Sequence, residues 1–319
     1  MTNARLRVAV LLGGRSSEHE VSLESGRSVA AGLDPERYDV TPVEIPREGP
    51  WLLTRAEAAA YDVVFPVLHG PFGEDGTVQG LLELADVAYV GSGVAGSALA
   101  MDKDLFKAVM RDNGVPVARS LTLRGGAGGA AESPFGFPVV VKPARLGSSV
   151  GISIVRAPEE LAPAVELAFA HDEKVLVEEF LHGVEVECSV LGNEEPVASV
   201  PGEIVPLASD WYDYEAKYAE GGMELVVPAR IDDEAAARVQ ELAVAAFVAA
   251  DCEGMARVDF FVSPEGAVTV NELNTIPGFT ATSVYAKLFE ASGVPYAALL
   301  DRLVALALER HERRRALRY

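Results

Sequence analysis

The chain of 319 residues is poor in cysteine, tryptophan and basic residues. Its two cysteines, Cys188 and Cys252, cannot build a disulfide framework, and there is no CxxC pair. His19, His69, His171, His182 and His311 show no zinc-ligand spacing. A reducing, cytoplasmic setting is therefore the expectation. Lysine and arginine number 27 against 48 aspartates and glutamates, a formal net charge of −21. That balance argues against a nucleic-acid surface, which needs clustered basic groups. It leaves room for an anionic small molecule held by a few lysines in a cleft. Long apolar runs are also missing. The longest near the start, residues 8–12, is too short for a signal-peptide core or a membrane span. No nucleic-acid partner and no membrane attachment are expected. The GxxxxGK[ST] phosphate loop is absent, and Gly13-Gly14-Arg15-Ser16-Ser17 is not a GxGxxG dinucleotide fingerprint.

What is present is a globular composition, 49% hydrophobic and 24% charged, with enough length for two or three domains. Residues 6–12 predict a buried strand that ends at Gly13-Gly14, followed by a helix capped at Ser16 or Ser17. Strands over 38–45, 62–68 and 87–90 alternate with helices over 21–32 and 77–84. That alternation predicts a parallel sheet with crossover helices in the first hundred residues. A long helix is expected over 97–113, stopped by Gly114 and Pro116, then a glycine-rich loop over 124–133. Further strands are expected over 137–142, 174–180, 184–191, 256–262 and 267–273, with helices over 232–251 and 295–317. Residues 206–222 are polar and aromatic without periodicity, the mark of a loop that is either functional or disordered.

The stretch from Arg257 to Asn274 is the most informative. Ser263-Pro264-Glu265-Gly266 is turn chemistry, so the segment predicts a β-hairpin. With Glu265-Gly266 as the central pair, Asp259 faces Glu272 and Arg257 faces Asn274, all on one face. Two opposed carboxylates repel unless a cation lies between them, and a hard divalent ion such as Mg²⁺ suits oxygen ligands. The plainer alternative is a solvated face with Arg257 pairing Asp259. A second signal is Lys142, which ends an apolar strand before the loop Gly147-Ser148-Ser149. Backbone N–H groups there could cradle phosphate, or the loop could be a simple turn. A third is His69 in the glycine-rich loop after the third strand, on the same sheet edge as Glu18. Tyr212-Asp213-Tyr214-Glu215-Ala216-Lys217-Tyr218 lies in the long loop, where it fits a lid or an aromatic-anchored surface segment.

In order, the segments Ser17-Glu18-His19-Glu20, Leu68-His69-Gly70, Gly73-Glu74-Asp75-Gly76, Met101-Asp102-Lys103, Lys142-Pro143, Gly147-Ser148-Ser149, Lys217-Tyr218, Arg257-Val258-Asp259 and Glu272-Leu273-Asn274 resemble the D-alanine–D-alanine ligases of the ATP-grasp superfamily. The resemblance spans nearly the whole chain. It implies an α/β and α+β architecture: an N-terminal Rossmann-like pre-ATP-grasp domain (1–102), then a central ATP-grasp subdomain (103–183) and a C-terminal one (184–319) with the metal site and a lid near 206–222. It implies ATP, two Mg²⁺ ions for which Mn²⁺ can stand in, and leaves open a monovalent cation. Lys103 and Lys142 would hold phosphates under Ser148 and Ser149. Glu178, Glu179, Phe180 and Leu181 would border adenine, and Glu185 the ribose. A lysine is the expected residue at Glu179, so only backbone contact is carried over there. Asp259, Glu272 and Asn274 would ligate metal. Glu18, linked to Ser148 and Tyr218, would hold the first D-alanine, with His69 near its carboxylate. Ser283 and Lys217 would receive the second, and Arg257 with the Gly278 N–H would stabilise the tetrahedral intermediate. A cytoplasmic homodimer is implied. Rival readings are a D-alanine–D-lactate ligase, a catalytically silent nucleotide-binding protein and a carboxylase-type ATP-grasp subunit. The complete metal and arginine set argues against the silent reading, and Glu18 with His69 against the carboxylase.

Overall fold

The structure is a computed structural model that describes residues 5–49, 51, 54–125, 132–147, 149–206 and 223–318. Leu6–Gly13 (β1), His19–Gly32 (α1), Tyr38–Ile45 (β2), Arg55–Ala58 (α2), Val63–Pro66 (β3), Thr77–Ala85 (α3) and Ala88–Tyr89 (β4) come first. The four strands are parallel in the order β2-β1-β3-β4. Central β1 is apolar without alternation because both its faces are buried. Val8 and Val10 join one core, Ala9 and Leu11 another. Pro42, which has no N–H to give, is tolerated because β2 lies at the sheet edge. The helix after β1 starts at His19 rather than at Ser16 or Ser17, and Ser16 Oγ instead accepts the Glu18 N–H within the connecting turn.

The expected helix over 97–113 is two helices, Val94–Met101 (α4) and Lys103–Asp112 (α5). Asp102 breaks it. Its backbone is extended, and its side chain caps α5 by accepting the Leu105 N–H. A cap residue cannot also continue the helix before it. Both Asp102 oxygens also accept from Lys174 Nζ, at 2.7 and 2.5 Å.

Lys174 belongs to the second sheet. Ser120–Arg124 (β5), Val139–Pro143 (β6), Ser153–Val155 (β7) and Lys174–Glu179 (β8) pair antiparallel as β5-β8-β6-β7. Pro158–Phe169 (α6) covers it through Leu161, Val165 and Ala168. This helix was not anticipated. Pro163 inside the segment discourages a helical reading, although its apolar spacing supports one.

The third sheet comprises Val184–Gly192 (β9), Val197–Ala198 (β10), Gly202–Pro206 (β11), Met223–Val226 (β12), Gly254–Val262 (β13) and Val268–Asn274 (β14). Its order is β12-β11-β9-β13-β14, with β10 on β9. Asp233–Ala249 (α7), capped by Asp232, packs its alanine-rich face on β9 and β13. Val284–Ala291 (α8) and Tyr296–Arg315 (α9) complete the chain. Strands β10, β11 and β12 and helix α8 were not read from the sequence. Helix α9 returns to the first sheet, where Leu299, Leu300 and Leu303 share a core with Val8, Val10 and Phe65. No single helix among the described residues is long and apolar enough to cross a membrane.

The hairpin pairs Asp259 with Glu272 and Arg257 with Asn274 as expected, but not through the expected turn. Val262 pairs Val268 and Phe260 pairs Val270, which centres the turn on Glu265 alone. A register shift beyond Phe260 leaves Asn271 as the extra residue and restores the anticipated pairs.

The Asp102–Lys174 pair holds the start of α5 onto β8, and both side chains are buried. Lys174→Met strands a buried carboxylate, so urea denaturation should show a loss of about 3–5 kcal/mol. The same change in an Asp102→Asn background should cost clearly less. An equal cost would mean that packing of the lysine stem, not the pair, provides the stability.

Candidate active site

All three sheets deliver polar groups to one cleft. Two cavities of about 350 and 470 Å³ meet there, and Lys103, Gly147 and Glu272 line both.

The smaller cavity is walled on one side by the loops that follow β1 and β3. His69 is buried; its Nδ1 donates to the Ile276 carbonyl at 2.8 Å, and Nε2 lies 3.4 Å from Ser25 Oγ. Burial lowers the imidazole from its ordinary pKa and keeps the ring neutral, against the opposing pull of Glu18. Glu74 Oε2 accepts the Gly70 N–H at 2.6 Å. Burial, and next the neighbouring Glu18 carboxylate, push Glu74 up to about 8. Gly70 has φ +72°, and a Cβ there would stand 3.1 Å from Glu18 Oε2. The glycine thus lets the loop backbone close against Glu18. A Cβ on Gly147 would stand 3.7 Å from the same oxygen, so the Gly147 loop of the second sheet reaches the first.

The opposite wall is the face of β9, β13 and β14. Asp259 pairs with Glu187 on one neighbour and with Glu272 on the other, which sets three carboxylates side by side. Arg257 lies among them. Its Nε and Nη2 donate to the two Asp259 oxygens at 2.7 Å each, and Nε stands 3.0 Å from Glu187 Oε2. Burial opposes the guanidinium charge, but Asp259 and Glu187 hold it well above its ordinary value. The plainer expectation of an Arg257–Asp259 pair is thus observed, but buried rather than solvated. Glu272 Oε2 is 3.2 Å from Lys103 Nζ, and Asn274 Oδ1 accepts the Ile276 N–H. Among the described residues no three carboxylate, thiolate or imidazole groups converge as ready-made metal ligands. Arg257 accounts for this by taking both oxygens of Asp259. The donor set of Asp259, Glu272 and Asn274 is all oxygen and fits a hard divalent cation once Asp259 shares an oxygen.

The larger cavity carries the lysines. Lys103, at the start of α5, donates from Nζ to the Leu146 carbonyl. Lys142 Nζ is 2.8 Å from Glu178 Oε2 and 3.4 Å from Asn271 Oδ1. Lys107, one turn along α5 from Lys103, is fully buried, 3.4 Å from Glu178 Oε1 and bonded to the Asn271 carbonyl. Burial pushes Lys107 down to about 8 despite Glu178. Burial alone would raise Glu178, yet Lys107 and Lys142 outweigh it and hold the carboxyl below its ordinary value. Glu179 is drawn outward, accepting from both the backbone N–H and Nε of Arg119. Phe180, Leu181 and Glu185 line the same cavity, as does Ser149, whose φ is +58°.

Gly278 and Ser283 close the smaller cavity. Ser283 Oγ accepts the Thr280 N–H at 3.0 Å and lies 2.8 Å from Thr280 Oγ1. The expectations for Ser148, Lys217 and Tyr218 fall outside the described residues, as does the lid near 206–222 apart from Pro206, which ends β11.

Comparison with known proteins follows the same lines. The family description "D-ala D-ala ligase C-terminus" matches residues 109–305, and "D-ala D-ala ligase N-terminus" matches 7–61 and 53–92. The chain belongs to the D-alanine–D-alanine ligase family. It is 50% identical to the D-alanine–D-alanine ligase of Deinococcus radiodurans, covering 95% of this chain and 98% of that one. It is 48% identical to that of Solibacter usitatus, covering 99% of each. Among solved structures, the Coxiella burnetii D-alanine–D-alanine ligase matches with TM-score 0.87 and 37% identity, covering 98% and 96%. The VanG D-Ala:D-Ser ligase of Enterococcus faecalis matches with 0.86 and 36%, covering 95% and 100%. The Bacillus anthracis enzyme complexed with ATP matches with 0.83 and 30%, covering 97% and 99%. The mixed parallel and antiparallel architecture read from the sequence is that of these ligases.

Three buried ionisable groups at or behind this ligase's cleft had no role in the sequence reading: Lys107, Glu187 and Glu74. Lys107 was legible in principle, four residues after Lys103 and so on the same helix face. Glu187 sits two residues beyond Glu185 on β9, and only the β9–β13 pairing reveals its place.

Glu74 yields a pH test. Its folded pKa exceeds that of an unfolded glutamate, so its contribution to stability is complete below the unfolded value near 4.5 and is lost as pH rises through about 8. In ligand-free denaturation, Glu74→Gln should therefore gain on the native chain steadily from pH 5 to pH 8. A constant difference across that range would contradict the neutral Glu74.

Proposed function

We propose that this chain joins two D-alanine molecules to D-alanyl-D-alanine with ATP, releasing ADP and phosphate, for cell-wall precursor synthesis. The observation that carries the reading is the junction of the two cavities. Lysines stand on one side, Glu18 and His69 on the other, and Arg257 among carboxylates lies alongside.

A carboxylate does not react with an amine near neutral pH, because oxide is too poor a leaving group. In the proposed route a carboxylate oxygen of the first D-alanine attacks the γ-phosphorus of ATP, and ADP leaves. The neutral amine of the second D-alanine then attacks the acyl carbon, and phosphate departs with the former carboxylate oxygen. Such chemistry needs positioning and charge neutralisation rather than a protein nucleophile. Lys103 and Lys142 would hold the phosphates, with Ser148 and Ser149 closing over them. Backbone groups from Glu178 to Leu181 would border adenine, and Glu185 would take the ribose hydroxyls. Glu18 would hold the first ammonium, supported by Ser148 and Tyr218, with neutral His69 beside the carboxylate. Ser283 and Lys217 would receive the second carboxylate. Arg257 and the Gly278 N–H would stabilise the tetrahedral oxyanion. Asp259, Glu272 and Asn274 would hold Mg²⁺, whose charge offsets that of the phosphates.

The division into residues 1–102, 103–183 and 184–319, with a lid near 206–222 that excludes water from the acyl phosphate, belongs to the same reading. So do a cytoplasmic location, where ATP is at hand, and a homodimer with the N-terminal part in contact. A monomer by light scattering at micromolar concentration would remove the dimer.

Phosphate release with ATP, Mg²⁺ and D-alanine, with products resolved by mass spectrometry, tests the function. D-alanyl-D-alanine should form in step with phosphate, and L-alanine should yield none. The likeness to a D-Ala:D-Ser ligase makes a D-serine arm necessary, alongside D-lactate. A mixed product preferred over the dipeptide would overturn the second-substrate assignment. Lys142→Ala should lower turnover at least a hundredfold, which a steady-state phosphate assay reads. Unchanged turnover would remove Lys142 from the chemistry.

A further inference from the structure

The Arg257 cluster poses a conflict that the reaction must resolve. Resting on the proposed function and its metal, Asp259 has two duties. Its oxygens bond Arg257 at 2.7 Å each, and the proposed Mg²⁺ needs at least one of them. A divalent cation beside Asp259 also repels the guanidinium. Without a second anchor, Arg257 would either compete for Asp259 or be driven out of position. Glu187 supplies that anchor. It faces Asp259 across the β9–β13 ladder, its carboxylate stands 3.0 Å from Arg257 Nε, and it is 3% exposed on the cavity wall. It lies on the side of Asp259 away from Glu272, two strand spacings or roughly 10 Å from that strand. It is thus placed to reach the arginine and not an ion held between Asp259 and Glu272.

We propose that Glu187 is a positioning residue that retains Arg257 while Asp259 turns an oxygen to the divalent cation. The three carboxylates then divide the work. Glu272 serves the metal, Glu187 serves the arginine, and Asp259 bridges the two. Removing the Glu187 charge has two consequences of the same sign. Arg257 binds Asp259 harder, and the local negative potential that attracts the cation falls. Both weaken metal binding without touching a ligand.

The test is direct titration with Mn²⁺ in the presence of saturating ADP, with free Mn²⁺ counted by electron paramagnetic resonance. Glu187→Gln should raise the Mn²⁺ dissociation constant about tenfold or more in the folded protein. Glu187→Asp, which keeps the charge but draws it back from Arg257, should fall between that variant and the native chain. A residue that only fills space would leave Mn²⁺ affinity unmoved. A Glu187→Gln constant within twofold of native, with fold retained, overturns the proposal. If that variant does not fold, Glu187→Asp carries the test alone: at least threefold weaker binding supports it, and native affinity overturns it. A native chain that takes up no Mn²⁺ beyond what ADP itself binds would sink the metal reading instead.

Discussion

A single guanidinium buried among carboxylates is the constraint on which the cleft depends. The buried charge of Arg257 is balanced by Asp259 and Glu187, and those carboxylates are in turn balanced in the interior by Arg257. The arrangement needs β9, β13 and β14 to be neighbours in one register. A slip of one residue would turn the acidic row to the opposite face and into the apolar core formed by Val186, Val258 and Phe260. The core therefore fixes the register, and the register fixes the charges.

The other two sheets are brought to that face by similarly specific contacts. Asp102 ends α4, starts α5 and pairs with Lys174, so that Lys103 emerges toward Glu272. The extra residue of the bulge, Asn271, offers its side chain to Lys142 and its carbonyl to Lys107. The irregularity in the hairpin thus links the carboxylate-bearing strands to the lysine-bearing elements. At the other end, His69 bonds the Ile276 carbonyl just beyond β14, and α9 packs under the first sheet. No one sheet holds a complete site. Each contributes a part that is useful only beside the others.

Much of this was legible in the sequence because the strongest signals are local. The β1 apolar run, the helix from 232, the Arg257–Asp259 spacing and the order of the motifs all follow from residue type and short-range period. What escaped has a common physical cause. The break at Asp102 combines its cap on α5 with a pairing to a lysine 72 positions away. The role of Glu187 depends on a pairing between strands that local pattern does not specify, whereas Lys107 follows Lys103 at helical spacing. The hairpin gives a subtler case: the right residue pairs came from a turn placed half a step off, and the bulge at Asn271 cancels the difference. Helix α6 was hidden by Pro163, and α8 by its shortness.

The chemistry that unites these parts is a carboxylate made reactive as an acyl phosphate in a cleft built to neutralise charge. That intermediate leaves a trace in its products. D-alanine labelled with ¹⁸O in both carboxylate oxygens, turned over with unlabelled ATP, should transfer one ¹⁸O to each phosphate released, read by mass spectrometry of the phosphate. Phosphate free of label, formed in step with dipeptide, would mean that the carboxylate oxygen never joined phosphorus, and the account of this cleft would be wrong.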